Sequence, residues 1–267
     1  MIKLIISDMD GTLLNTNHEL PQGFMYVFET LQERGIYFCV ASGRQYLSLL
    51  SFFAPIKDKM AFISENGAFV SINGKEVYQN AISPYHIQQV VARYKQFSGM
   101  AIGLCGKKAT YLLPTTPYAE EQVNIYHHTV EKVTDLSQID DTISQITILD
   151  PIGAREQSFP AFSSLSQEGL KITISGAYWI DITNEGVNKG VAVTALQEFL
   201  GISPEETMAF GDYLNDLELL KRASYSYAMK NAQEEVKQVA FNETKDDNNH
   251  NGVLKTICEV LKIPLSS

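Results

Sequence analysis

The sequence predicts an α/β fold: a doubly wound parallel sheet with helices on both faces, interrupted by a unit of α+β texture. Three observations carry that reading. Short apolar runs alternate with helix-period segments near the start of the chain and again from about residue 185 onward. Turn-forming or acidic residues close the apolar runs, as they do at the carboxyl ends of buried parallel strands. The strand-like pieces between those two blocks are more polar and alternating, as in an antiparallel sheet with one face covered.

Taken in order, Leu4, Ile5 and Ile6 read as a fully buried strand that stops at Ser7-Asp8-Met9-Asp10-Gly11-Thr12. Pro21 reads as a first helical position, Phe24, Val27, Phe28 and Leu31 recur at helical spacing, and Gly35 caps the helix. Ile36 to Ala41 is a second strand, ended by Ser42-Gly43-Arg44, with a helix expected from Gln45. Met60 to Ile63 is a third, closed by Ser64-Glu65-Asn66-Gly67, where Asn66-Gly67 is either a plain turn or a binding position. Asn73-Gly74 between two strand-like runs marks a hairpin with a type I′ turn.

Beyond Ile82, helices are expected from Ser83-Pro84 through Phe97, over Tyr118 to Tyr126 and over Phe159 to Gln167. Strands are expected at Ala101 to Cys105, Thr110 to Leu113 and Ser144 to Leu149, with a closing hairpin of Lys171 to Ser175 and Tyr178 to Thr183. The α/β texture then resumes: a helix Asn188 to Leu200 ended by Gly201, a strand Thr207 to Phe210, and a helix after Asp216 reaching Ala223. A strand Ser224 to Met229 and helices Ala232 to Ala240 and Val253 to Leu261 complete it, and the polar run Asn242 to Asn251 reads as an exposed loop. The expected domains are residues 1–82 with 185–267, and an insertion of 83–184.

With 267 residues and 45% apolar composition, the chain can bury the cores of two domains. A net charge of −10 argues against nucleic acid or an anionic membrane as partner, since both require a basic face. No apolar run approaches the roughly 20 residues that cross a bilayer. Three scattered cysteines and no leader pattern before the first strand predict a cytoplasmic protein. The expected state is a monomer or weak homo-oligomer.

The same acidity poses a chemical question. Two carboxylates, Asp8 and Asp10, at the mouth of a buried strand are costly unless a cation compensates them. Asp246, Asp247 and His250 could be imagined as metal ligands, but the solvated-loop reading is preferred.

Four pieces stand in order at strand ends or helix starts: Asp8-x-Asp10-Gly11-Thr12, Ser42-Gly43-Arg44, Lys189 and Gly211-Asp212-x-x-Asn215-Asp216. With a domain-sized gap between the second and third, they resemble the four motifs of the haloacid dehalogenase-like phosphatases, most closely the Cof-type branch with a type IIB cap. Asn66-Gly67-Ala68, Gly186 to Gly190, Met229 to Ala232 and Asn251-Gly252-Val253 resemble that branch as well. The resemblance implies a Rossmann-like core, an inserted α+β cap, and a Mg²⁺-dependent phosphatase of small phosphorylated metabolites.

In that family's terms, Asp8 is the nucleophile, forming an aspartyl-phosphate, and Asp10 the general acid/base. Met9 and Gly43 amides, the Ser42 hydroxyl, Lys189 and Asn215 hold the phosphoryl group, and Mg²⁺ sits on Asp8, Asp212 and the Asp10 carbonyl. Asp216 stays open between support of that site and a helix N-terminal acid. Substrate contacts are assigned to Arg44 and Asn66, with Tyr126, His127, His128 and Trp179 as further polar or aromatic candidates in the insertion. The alternatives are a phosphomutase-like phosphotransferase, betrayed by acceptor-dependent product, and a non-catalytic metabolite-binding module, which would have lost Asp8, Asp10, Lys189 or Asp212.

Overall fold

The computed structural model describes residues 1–127 and 129–264, and only the backbone of Tyr126. His128 therefore lies outside the described residues, as does the Tyr126 side chain. The chain divides into two compact units. Met1–Gly43, Pro55–Tyr78 and Asn188–Ser267 form the first, Arg44–Ala54 and Gln79–Val187 the second. Relative to the expected limits, the crossings fall at Tyr78/Gln79 and Val187/Asn188, and Arg44–Ala54 groups with the second unit.

The elements run β1 (Leu4–Asp8), α1 (Phe24–Glu33), β2 (Tyr37–Ala41), α2 (Tyr46–Phe52), β3 (Ala61–Ser64), β4 (Phe69–Ile72) and β5 (Lys75–Gln79). Then follow α3 (Pro84–Tyr94), β6 (Ala101–Gly106), β7 (Thr110–Leu112), α4 (Pro117–Tyr126), β8 (Val130–Lys132), β9 (Ile143–Leu149) and α5 (Phe159–Phe162). After β10 (Leu170–Gly176) and β11 (Trp179–Asn184) come α6 (Lys189–Leu200), β12 (Thr207–Gly211) and α7 (Leu217–Leu220). The last elements are β13 (Tyr225–Ala228), α8 (Glu234–Val239), β14 (Asn242–Glu243) and α9 (Gly252–Leu261).

In the first unit the sheet order is β14-β13-β12-β1-β2-β3-β4-β5. Pairing is parallel from β14 to β3, and β4 returns antiparallel on β3. Every residue of β1 is buried, because helices cover both faces and leave no solvent side. On one face Leu4, Ile6, Cys39 and Ala41 pack with Ala192, Val193 and Leu196 of α6. On another part of the sheet α1 packs Phe24 and Phe28 edge-on to Phe38 of β2. Burying each such side chain contributes about 1.5–3 kcal/mol. The hairpin after β4 turns at Asn73 (φ 50°) and Gly74 (φ 72°), the positive-φ pair its sequence calls for.

In the second unit the sheet order is β10-β11-β9-β6-β7-β8. It is antiparallel except where β8 joins β7 in parallel. Ile102, Leu104, Ile146, Ile148, Ile180 and Ile182 form one face against Val90, Val91 and Tyr94 of α3 and Phe162 of α5. The starts of α3 and α4 are capped, with Ser83 accepting from the His86 amide and Thr116 from the Ala119 amide.

Several local expectations shift. Helix α1 starts at Phe24, because Gly23 takes φ 85° and keeps Pro21 in the preceding turn. The helix expected over Phe159 to Gln167 is the four-residue α5 and a 3₁₀ segment, with a π turn over residues 154–158 before them. Strand β9 is buried along its whole length despite Ser144, Gln145 and Thr147. The polar run 242–251 is not simply an exposed loop: it holds β14 and a 3₁₀ turn, with Thr244 and Asn248 buried. No described helix is long and apolar enough to cross a membrane.

Candidate active site

The ends of the parallel strands bring the predicted residues together. Asp8 closes β1 opposite Ala41 of β2, so Ser42 follows at the same level, and Ser7 pairs with Phe210, which sets Gly211-Asp212 alongside. After Asp8 the chain turns back, with Leu13 N–H donating to the Asp8 carbonyl at 3.3 Å and Leu14 N–H to the Met9 carbonyl at 2.9 Å. Gly11 occupies φ 82°, and a Cβ there would collide with the Asp212 carboxylate. Only glycine satisfies both demands.

Lys189 enters at the first turn of α6. Its N-cap, Asn188, accepts from the Val191 amide at 3.0 Å. Gly190 lets α6 approach α7 so closely that a Cβ would stand 2.5 Å from the Glu218 carbonyl oxygen. Lys189 is completely buried, and its Nζ donates to Asp8 Oδ1 at 2.5 Å and to Asp216 Oδ1 at 2.6 Å. Asp216 Oδ2 accepts the Asp212 and Tyr213 amides at 3.0 and 3.2 Å. The two readings of Asp216 are therefore both realised, one on each oxygen: support of the site and neutralisation of a helix start.

Asp8, Asp212 and Asp216 offer carboxylate oxygens that all lie within 4.8 Å of one another. Asp212 Oδ1 accepts from the Thr12 hydroxyl at 2.7 Å. Three carboxylates face one ammonium, and the imbalance appears in the acidities of Asp8 and Asp212. Burial, then Asp216 and Asp212, push the Asp8 carboxyl well above the ordinary range against the opposing pull of Lys189. Burial raises Asp212 to about 6, with Thr12 opposing and Asp216 adding. Burial pulls Lys189 down, but Asp216 and Asp8 more than offset it, so it stays an ammonium. An all-oxygen donor set with surplus negative charge fits a hard divalent cation. Both oxygens of Asp216 are engaged by Lys189 and backbone amides, so Asp8 and Asp212 are the carboxylates that can turn to such an ion.

A second group surrounds Ser42, which is buried, donates its amide to Ile63 and accepts the Asn66 amide at 3.1 Å. Asn215 Nδ2 donates to Asn66 Oδ1 at 3.0 Å, and the Asn66 amide lies 3.1 Å from where a Cβ on Gly43 would sit. Glu65, Asn66 and Gly67 take φ of 47°, 54° and 103° in succession, which makes Asn66 more than an ordinary two-residue turn. Arg44 groups with the second unit, its guanidinium 5.9 Å from the Phe52 ring centre. Asp10 stands apart from the buried carboxylates, its side chain 43% exposed and 3.1 Å from His18 Nδ1.

Four contributors had no separate reading in the sequence. Thr12 holds Asp212, Asn231 donates to the Gly11 carbonyl at 2.8 Å, Asn248 donates to the Leu14 carbonyl at 2.9 Å, and His18 meets Asp10. Asn231 had only its place in a family-like motif as a signal.

Comparison with known proteins gives this geometry a family. The model of the haloacid dehalogenase-like hydrolases matches residues 5–257. The chain belongs to that family. A protein named 5-amino-6-(5-phospho-D-ribitylamino)uracil phosphatase YbjI, from Escherichia coli, is 34% identical over 98% of this chain and 97% of its own. The crystal structure of SMU.1108c from Streptococcus mutans matches with a TM-score of 0.82 at 30% identity, covering 98% of this chain and all of that one. A sugar phosphatase of haloacid dehalogenase subclass IIB, BT4131, shares the fold at 22% identity with a TM-score of 0.75, over 98% of this chain and 100% of its own.

Proposed function

We propose that this member of the haloacid dehalogenase-like hydrolases is a Mg²⁺-dependent phosphatase of small phosphorylated metabolites, of the sugar-phosphate or phosphorylated-cofactor class. The observation that carries the reading is the buried Asp8–Lys189–Asp216 array beside Asp212, a nucleophile held next to one ammonium with negative charge left over. The names of the Escherichia coli relative and of BT4131 support the substrate class. The first unit is then the catalytic core and the second the specificity cap.

Lys189 binds Asp8 Oδ1, which leaves Oδ2 to attack phosphorus. The bond from phosphorus to the leaving oxygen breaks as Asp10 delivers a proton to that oxygen. Water then attacks the aspartyl-phosphate, Asp10 takes its proton, and Asp8 is released as carboxylate. The Ser42 hydroxyl, the Met9 and Gly43 amides and Asn215 hold the phosphoryl oxygens, and Lys189 offsets their growing charge. Mg²⁺, held by Asp8, Asp212 and the Asp10 carbonyl, would supply the positive charge that lets a phosphate dianion approach a carboxylate.

The test is hydrolysis of p-nitrophenyl phosphate and a panel of phosphorylated metabolites with Mg²⁺. Turnover by the wild type and none by Asp8→Asn is expected; equal turnover by the two proteins contradicts the reading.

A further inference from the structure

His18 lies in none of the motifs that identify the family, yet the chain goes to some trouble to place it. Its backbone is left-handed, φ 59°, a conformation that a histidine rarely takes and that points to a constraint at the site. The turn that imposes it is built from Asn15. The Asn15 side-chain oxygen accepts the Asn17 and Glu19 amides at 2.9 Å each, and its carbonyl accepts the His18 amide at 2.9 Å. The turn is anchored from far along the chain, where Asn249 Oδ1 accepts both the amide and the hydroxyl of Thr16 at 3.0 Å. The outcome is that His18 Nδ1 sits 3.1 Å from Asp10 Oδ1.

Exposure helps to decide what this contact is for. The His18 and Asp10 side chains are 68% and 43% exposed, and a pair so open to water adds little to stability. A strained residue held against an exposed carboxylate is better explained by what that carboxylate does.

We propose that His18 is a positioning residue for the general acid/base, fixing the Asp10 carboxyl group for proton transfer to the leaving oxygen. An ionised carboxylate only accepts hydrogen bonds, so Nδ1–H donates to Oδ1. That bond orients the carboxyl plane and puts the travelling proton on Oδ2. No bond is made or broken at His18. The inference rests on the phosphatase reading and on Asp10 as its acid/base.

Two substrates and two variants test it. A sugar phosphate needs a proton on its departing alkoxide, whereas p-nitrophenolate leaves without one. His18→Gly removes the side chain while glycine keeps the positive φ at no cost. His18→Asn also tolerates that φ and returns an N–H near the position of Nδ1. Since general acid catalysis contributes about 10²- to 10⁴-fold, losing its alignment should lower kcat on the sugar phosphate roughly tenfold in His18→Gly. KM should be unchanged, p-nitrophenyl phosphate should slow less than about twofold, and His18→Asn should recover most of the sugar-phosphate rate. An equal loss on both substrates, no loss on either, or an asparagine variant as slow as the glycine variant overturns the proposal. Absence of turnover by the wild type on both substrates fails the phosphatase reading itself.

Discussion

At the residue scale, Lys189 is the hinge of the account. A fully buried ammonium is tolerated because Asp8 and Asp216 each accept a hydrogen bond from it, and removing one partner of such an array leaves an uncompensated buried charge. Lys189→Ala should therefore cost about 3–5 kcal/mol of stability in denaturant unfolding. Asp8→Asn should do the reverse, abolishing turnover while raising the melting temperature of the metal-free protein, since it removes a charge from a cluster with two in excess. A lower melting temperature for Asp8→Asn would contradict that charge count. The sequence made Asp8, Asp212 and Lys189 visible as residues at strand ends and helix starts. It could not decide Asp216, because only the fold shows that one oxygen faces Lys189 and the other the helix amides. His18 left no signal at all, because its position depends on a turn anchored by Asn249.

At the element scale, α6 delivers Lys189, and two glycines govern its approach. A Cβ on Gly67 would run into the Asn188 carbonyl, and one on Gly190 would stand 2.5 Å from the backbone oxygen of Glu218. Gly190→Ala should push α6 from α7, costing about 1–3 kcal/mol by overpacking and reducing kcat more than KM. Chemical denaturation and steady-state kinetics check this, and a variant as stable and active as wild type would show that the approach is slack. Long elements were legible: β1, β2 and α6 carry strong patterns with clear stops, and Gly201 ends α6 as expected while Asn188 stands as its N-cap. Short ones were not. The parallel strand β8 and the two-residue β14 are defined by their pairing partners, not by local propensity. The segment 154–168 keeps a helical composition but breaks into three turns of different pitch.

At the scale of the whole molecule, the site is assembled from residues distant in sequence. Thr12 reaches Asp212 across 200 positions, and Asn248 reaches Leu14 across 234. The ordered motifs made that convergence legible, because strand ends in a parallel sheet meet at one edge. Asp8, Asp212 and Asp216 set three carboxylates within 4.8 Å of one another. Asp212 is raised to about 6, so the folded protein holds a proton there that the unfolded chain releases at lower pH. Its contribution to stability is present below the ordinary carboxylate range and is lost as pH rises through about 6. A divalent cation must displace that proton, so Mg²⁺ affinity should increase as pH rises through 6. Thermal stabilisation by saturating Mg²⁺ should grow over the same window. Calorimetric titration from pH 5 to pH 8 checks this, and Mg²⁺ binding that does not vary with pH would contradict it.

The central claim is that Asp8 becomes phosphorylated, and an acyl-phosphate can be caught chemically. Enzyme quenched in acid during turnover of a sugar phosphate and then reduced with borohydride should yield homoserine at position 8 in the peptide containing Leu4 to Leu14. Steady release of phosphate with Asp8 unmodified at every quench time, or homoserine formed at another carboxylate instead, would contradict the account.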